Sequence, residues 1–96
     1  MISLGTRVRL APKARLRFDE RSGKHILLYP ERGLELTDTA ARIVELCANE
    51  ARAAGDIVDA MVAAADGTPR ERIEPEVLAF LGSLDDRGLL VTGGQS

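Results

Sequence analysis

The chain has 96 residues, of which 45% are hydrophobic and 29% charged, so it has room for one small globular domain. A domain this short buries only about 60–65% of its unfolded surface, which favours binding over catalysis in a sheltered cleft. The single cysteine excludes a disulfide framework or thiolate metal cluster within one chain and fits a reducing compartment. Without an apolar stretch of about 18 residues or the apolar segment of a signal peptide, we expect a cytoplasmic protein with no membrane partner.

Charge is distributed unevenly along the sequence. Residues 1–32 carry eight basic and three acidic side chains, whereas residues 33–96 carry five and twelve. Either the two halves pack together and neutralise each other, or one of them presents a charged docking face. Mutual packing is the simpler interpretation.

The first part of the chain alternates with the period of two that is typical of β-strands. Val8 and Leu10 alternate with arginines, and so do Leu16 and Phe18. This predicts two extended segments, each with one buried face, separated at Pro12.

A hairpin is predicted around Gly23, which is free to adopt a positive φ. The strand that follows, residues 24–29, is apolar on both faces, so we expect both faces to be covered. Pro30 fits a turn and Gly33 a left-handed position, and together they return the chain as a short third strand, residues 34–36. The segment with Leu16 and Phe18, the strand at residues 24–29 and the strand at residues 34–36 are expected to form a three-stranded meander.

From Thr37 the apolar residues follow a helical period. A first helix is predicted with Thr37 or Asp38 as its N-cap, and the alanine-rich residues 48–52 are expected to prolong it. A second, short helix is predicted to start at Asp56, which would be its cap.

A third helix is predicted to start near Ile73 or Glu74, because Pro75 then lies in the first turn, where its missing N–H costs little. Gly88 is expected to end it, and residues 89–91 to form a short extended tail before a disordered end at 93–96. The predicted fold class is α+β: a three-stranded antiparallel β-meander followed by three helices, in a single domain over residues 1–96 with an ordered core of about 7–91.

Residues suited to catalysis or metal binding are few. His25 is the only histidine and has no neighbouring ligand, so we interpret it as structural or exposed, and Cys47 as a small core residue. The adjacent carboxylates Asp85 and Asp86 diverge on a helix and resemble a solvated face more than an acid–base couple. The sequence therefore predicts no catalytic residue, no metal site and no cofactor.

Three helices and an extended tail also outline a winged helix-turn-helix, so a DNA-binding regulator is an alternative. The third helix argues against it, because Glu74, Glu76 and the two aspartates are opposed only by Arg87 and would repel phosphates. We expect no nucleic-acid partner.

The string His25-Ile26-Leu27-Leu28-Tyr29-Pro30-Glu31, residues 33–37 and the helix at 40–47 resemble the PqqD family, the D protein of pyrroloquinoline quinone biosynthesis. The likeness continues through 76–81 and 84–89, so it covers most of residues 7–91. That family has a glycine-containing turn where this chain has residues 48–52. A sister peptide-modification pathway that uses the same domain is therefore a second alternative.

The resemblance implies a non-catalytic peptide chaperone, a recognition element for ribosomally made, modified peptides with a winged-helix-like fold. Such a protein binds the leader of a precursor peptide, PqqA, and presents it to a radical S-adenosylmethionine enzyme, PqqE, which carries the iron–sulfur clusters. The leader is expected to add as a strand to the sheet edge, between the third strand and the third helix.

The residues that we place at this edge are Gly33, Leu34, Glu35, Leu36, Leu78, Leu81 and Asp85. For at least half of the leucines, plain core packing is the better interpretation. The sequence leaves open the identity of the peptide and the oligomeric state, a homodimer included.

Overall fold

The computed structural model describes residues 2–30 and 32–93. Met1, Glu31 of the Tyr-Pro-Glu string and residues 94–96 of the end that was expected to be disordered lie outside the described residues. The elements are, in chain order, β1 (Arg7–Leu10), β2 (Arg15–Asp19), β3 (Lys24–Tyr29), β4 (Arg32–Leu36), α1 (Asp38–Cys47), β5 (Arg52–Ala53), α2 (Ala54–Ala64), α3 (Arg70–Asp86) and β6 (Leu90–Gly93). Over these residues the strands form two three-stranded sheets, and α1 contacts strands of both.

The predicted meander is confirmed as the sheet β2-β3-β4. Both strand pairs are antiparallel, and Leu27 at the centre of β3 lies opposite Leu16 on one side and Leu34 on the other. Gly23 closes the hairpin with a φ of 72°, as predicted. The left-handed role predicted for Gly33 is wrong, because β4 already begins at Arg32 and pairs Gly33 with β3 in ordinary strand conformation.

Only one face of β3 lies toward the core, so the expectation of two covered faces is not met. Leu27 points into the core and is completely buried. Ile26 and Leu28, which point the other way, are half-buried and form the middle of the outer face of the meander.

The second sheet has the order β5-β1-β6 and was not predicted as a unit. The expected extended tail forms β6, which continues to Gly93 and pairs antiparallel with β1. Residues 48–52 do not prolong the first helix. The helix α1 ends at Cys47, and Arg52 and Ala53 pair with β1 instead, which satisfies their backbone groups within the sheet.

The predicted ends of the helices are confirmed in part. Thr37 is the N-cap of α1, and its side chain accepts a hydrogen bond from the backbone N–H of Ala40. The helix α2 starts at Ala54, two residues before the predicted Asp56, because the N–H of Ala54 donates to the carbonyl of Thr6 at 2.8 Å and needs no side-chain cap.

The start predicted for α3 is wrong by one turn, since the helix begins at Arg70 and contains Pro75 in its interior. Arg70 donates to Asp59 of α2 at 2.7 Å and to Glu74 at 3.3 Å, which favours a helical first turn despite the proline. The hydrogen bond that Arg70 donates to the Asp59 carboxylate raises the pKa of the Arg70 guanidinium above its ordinary value. Gly88, with a φ of 72°, follows the end of the helix as predicted.

One hydrophobic core joins the two sheets to the helices. Cys47 belongs to it and is fully buried, and this burial raises the pKa of its thiol from 9.0 to about 11. The largest fully buried side chains are Leu27, Ile57, Leu81, Leu84, Leu89, Val8, Val44, Val58 and Cys47.

Candidate functional site

The strand β4 is one free edge of the meander. Among the described strands it pairs only with β3, so its other side carries backbone groups without a strand partner. Leu34 and Leu36 lie opposite Leu27 and His25 of β3 and point inward; Leu36 is buried and Leu34 half-buried. An added strand would continue the sheet beside these two leucines.

On the outer face of the sheet, side chains of β3 contact β4. Lys24 Nζ lies 3.1 Å from Glu35 Oε1 across the strand pair, with both side chains more than half exposed. A Cβ built on Gly33 would lie 3.3 Å from Ile26 Cγ2, so the glycine allows the side chains of β3 to lie close over β4. These contacts keep the edge strand in register while its free side stays open.

A groove of about 580 Å³ begins where β4 ends. It lies between the start of α1, the end of α2 and the first half of α3. Its lining residues are Thr37, Asp38, Thr39, Ala40, Arg42, Ile43, Met61, Ala64, Ala65, Thr68, Ile73, Glu76, Val77 and Phe80. Thr37, the residue that directly follows Leu36, lines the groove, so the groove begins at the C-terminal end of β4.

The base of the groove is apolar. Ile43, Met61 and Val77 are buried core residues, and Ile73 and Phe80 are half-buried against the same core. The partly exposed Ile73 and Phe80 are suited to contact an apolar side chain that enters from solvent.

Three charged residues line the groove: Asp38, Arg42 and Glu76. The Asp38 side chain is 97% exposed, with Oδ1 3.9 Å from His25 Nε2. Arg42 lies 3.9 Å from Glu45 on its own helix. Within residues 2–30 and 32–93, Glu76 takes part in none of the ion pairs, so acidic charge predominates at the groove.

The sequence-predicted site residues fall into two groups. Gly33, Leu34, Glu35 and Leu36 lie together on the free edge strand. The three predicted residues of α3, Leu78, Leu81 and Asp85, are not among those that line the groove; Leu81 is fully buried, and the other two are half-buried.

Sequence reasoning missed the face of α3 that does line the groove. Ile73, Glu76, Val77 and Phe80 have the i, i+3, i+4, i+7 spacing of one helical face. That spacing was visible in the sequence, but a helix predicted to start at Ile73 or Glu74 left the first of these residues without a defined position.

The other edge of the meander, β2, has a different environment. Its Phe18 is 51% exposed and lies over His25, with ring centroids 5.0 Å apart. No residue of β2 lines the groove. An extended ligand at β2 would therefore not be next to this groove.

The described residues contain no cluster of three side chains suited to a metal ion, and no helix among them is long and apolar enough to cross a membrane.

Family comparison agrees with this architecture. The family model described as "Coenzyme PQQ synthesis protein D (PqqD)" matches residues 24–90. A relative from Bradyrhizobium diazoefficiens, named PqqA binding protein, is 37% identical over 89 residues, which is 93% of this chain and 84% of the relative. A relative of the same name from Methylococcus capsulatus is 35% identical over 83 residues, covering 86% and 85%.

Two solved structures have the same fold. The solution structure of the PqqD truncation of Methylobacterium extorquens PqqCD, a stand-alone RiPP recognition element, is 31% identical with a TM-score of 0.75, and 95% of each chain is covered. TbiB1 in complex with the TbiA(beta) leader peptide has a TM-score of 0.71 at 21% identity, with 85% of this chain and 93% of that chain covered.

A three-stranded meander followed by three helices thus defines an α+β domain with the fold of these two solved structures, which resembles a winged helix-turn-helix only loosely. At this level of identity and coverage, the chain belongs to the PqqD family.

Proposed function

We propose that the chain binds the leader of a PqqA-like precursor peptide by strand addition to β4 and presents it to a PqqE-like radical S-adenosylmethionine enzyme. The observation that carries the proposal is the free edge of β4 together with an apolar groove that begins at the C-terminal end of this strand. The relatives named PqqA binding protein support the choice of peptide. The resemblance to the PqqD family supports the choice of enzyme.

Strand addition accounts for both affinity and selectivity. Four or five backbone hydrogen bonds at about 0.5–1.5 kcal/mol each supply several kcal/mol that depend little on the peptide's sequence. Burial of one or two apolar side chains adds about 2–5 kcal/mol, and this part selects among peptides. After the ordering costs of a flexible peptide, the sum corresponds to micromolar or somewhat tighter binding.

The residues in the proposal have different tasks. Gly33–Leu36 supply the backbone edge, and Leu34 is the inward side chain that an added strand would cover. Ile73 and Phe80 join the proposal as groove contacts. Leu78 and Asp85 stay as proposed contacts farther along α3, whereas Leu81 supports the helix from within the core.

The proposed protein is an adaptor without catalytic activity of its own. One copy of the chain contains both the edge and the groove, so the proposal does not require a homodimer. We place the binding of the precursor peptide in the cytoplasm, where ribosomal products are first present. Incubation of the chain with its precursor alone is expected to leave the mass of the peptide unchanged, and any mass change would contradict the adaptor role.

A sister pathway is the second candidate, because TbiB1 was solved with the leader of a different peptide and shares the fold. The names of the curated relatives favour the quinone pathway. A DNA-binding regulator is less well supported. Salt-sensitive affinity for duplex DNA would favour it, whereas a peptide-specific complex would favour the adaptor.

The experiment is titration of isotopically labelled protein with the leader segment of the PqqA precursor from the same organism. Chemical-shift changes are expected along β4 and in the groove, with β2 as the internal control edge. Shifts restricted to β2 or to α1 away from the groove, or no binding at all, would contradict the proposal.

A set of N-methylated leader peptides tests strand addition itself. In a β-strand, alternate N–H groups point toward the partner, so only every second methyl group should weaken binding. Equal effects at all positions, or none, would exclude strand addition while leaving peptide binding intact.

A further inference from the structure

The groove beside β4 combines an apolar base with predominantly acidic charge. Ile73 and Phe80 are half-buried at its base, whereas Asp38 and Glu76 bring exposed carboxylates to its lining. The one basic residue of the lining, Arg42, lies 3.9 Å from Glu45 on its outer side, so its charge is partly balanced. Asp38 has His25 Nε2 at 3.9 Å, but its side chain is 97% exposed and remains accessible.

We propose that this groove selects, within the captured peptide, an apolar side chain with a lysine or arginine close to it in the peptide sequence. The inference rests on the proposed function and adds a substrate class to it. The apolar residue packs against Ile73 and Phe80, and the basic residue lies near Asp38 and Glu76. Since α1, α2 and α3 come from one protomer, the selection needs no second chain.

Charge complementarity favours a basic residue over an acidic or neutral one. Within the described residues Glu76 forms no ion pair, so a bound cation would not have to displace an existing partner there. Exposed pairs are weak, which predicts about a two- to fivefold gain in affinity for each carboxylate. The gain should shrink as salt rises, because the charges are close to solvent.

The direction of the meander assigns the end of the peptide that reaches the groove. Both existing strand pairs are antiparallel, and a peptide added in the same sense runs opposite to β4. The groove lies beyond the C-terminal end of β4, at Thr37. The apolar and basic residues therefore belong to the N-terminal part of the bound segment.

The test measures binding of the leader segment of the PqqA precursor, and of versions with each lysine or arginine replaced by methionine, to four proteins. These are the wild type, Asp38→Asn, Glu76→Gln and the double variant. The control is Glu71→Gln, an exposed acidic residue of α3 that does not line the groove. Circular dichroism verifies that each variant is folded.

The expected result is a coupled loss. The double variant should bind the parent peptide about 4- to 25-fold more weakly than the wild type does. One methionine replacement in the N-terminal part of the peptide should weaken binding to the wild type by a similar factor. The same replacement should not weaken binding to the double variant any further. Glu71→Gln should have the wild-type affinity.

Three results would overturn the inference. Equal affinity of the parent peptide for the wild type and the double variant removes the charge selection but leaves peptide capture standing. Losses that add up without coupling show that the basic residue contacts another surface. Failure of every peptide to bind the wild-type protein removes the proposed function as well, so the two failures are distinguishable.

Discussion

Thr37 Oγ1 accepts a hydrogen bond from the backbone N of Ala40 at a distance of 3.1 Å. Thr37 is the first residue after β4, and both Thr37 and Ala40 line the groove. The side chain that caps α1 therefore also fixes the junction between the free edge and the groove.

Replacement of Thr37 with alanine should lower the free energy of unfolding by about 1 kcal/mol, because the first turn of α1 loses a capped N–H. Urea denaturation followed by circular dichroism measures the change. Thr39→Ala is the matched control, since Thr39 is an exposed residue of the same turn and alanine is the better helix former. Equal destabilisation by both substitutions would contradict a specific capping role.

Pro75 lies inside α3, where it removes the backbone N–H that would otherwise bond to the carbonyl of Glu71. Pro75→Ala should raise the free energy of unfolding by about 1–2 kcal/mol, since the restored bond outweighs the added flexibility of the unfolded chain. Thermal unfolding measures this gain. Pro69→Ala, just before the helix, should give no gain, and a gain from Pro69→Ala but not from Pro75→Ala would refute the argument.

Local patterns in the sequence were sufficient for much of the fold. The period of two and Gly23 gave the meander, and Thr37 and Gly88 marked real helix ends. The second sheet could not be obtained in this way, because β1 and β6 pair across nearly the whole chain. The start of α3 was misplaced because a contact between helices, Arg70 with Asp59, offsets the local preference of Pro75.

The candidate site was predictable at its edge but not at its groove. The edge strand followed from a short alternating segment, 34–36, after a turn. The groove depends on how three helices pack together. Tertiary packing, which local sequence patterns do not specify, brings Ile73 and Phe80 close to the start of α1. A buried stripe on α3 was expected, and Leu81 belongs to it. Because Leu81 is fully buried, it has no exposed surface that a peptide could contact.

Burial of Cys47 makes the free energy of unfolding depend on pH in the alkaline range. The ordinary pKa of a cysteine thiol, 9.0, applies to the unfolded chain, and burial raises the pKa of Cys47 to about 11 in the folded protein. Below pH 9 both states hold the proton. Above it the unfolded chain releases the proton first, so the free energy of unfolding falls as pH rises toward 11. A shift of this size corresponds to a total loss of about 2–3 kcal/mol.

The measurement is the free energy of unfolding at intervals from pH 8 to pH 11 for the wild type and Cys47→Ala. All other groups are the same in the two proteins, so the difference between the two curves isolates the effect of the thiol. The difference should stay nearly constant close to pH 8 and then change progressively between about pH 9 and pH 11. Parallel curves would show that the thiol is not protected by the fold.

Leu81 and Leu34 separate core packing from peptide contact. Leu81 is fully buried, so Leu81→Ala should lower the free energy of unfolding by about 2–5 kcal/mol. Leu81→Arg would place a charge in the core and should prevent folding of so small a domain, with loss of leader capture as a consequence. Leu34 is half-buried on the free edge, and Leu34→Asp should weaken leader binding in a protein that still folds.

Circular dichroism and calorimetric titration with the PqqA leader, at a temperature where each variant is folded, distinguish the two roles. Folded Leu81→Ala should retain leader binding because its side chain has no surface to offer. Leu34→Asp should lose at least tenfold in affinity, since an added strand would cover the introduced carboxylate. Full stability with lost binding for Leu81→Ala would instead assign Leu81 to the peptide contact and require the third helix to move when the leader binds.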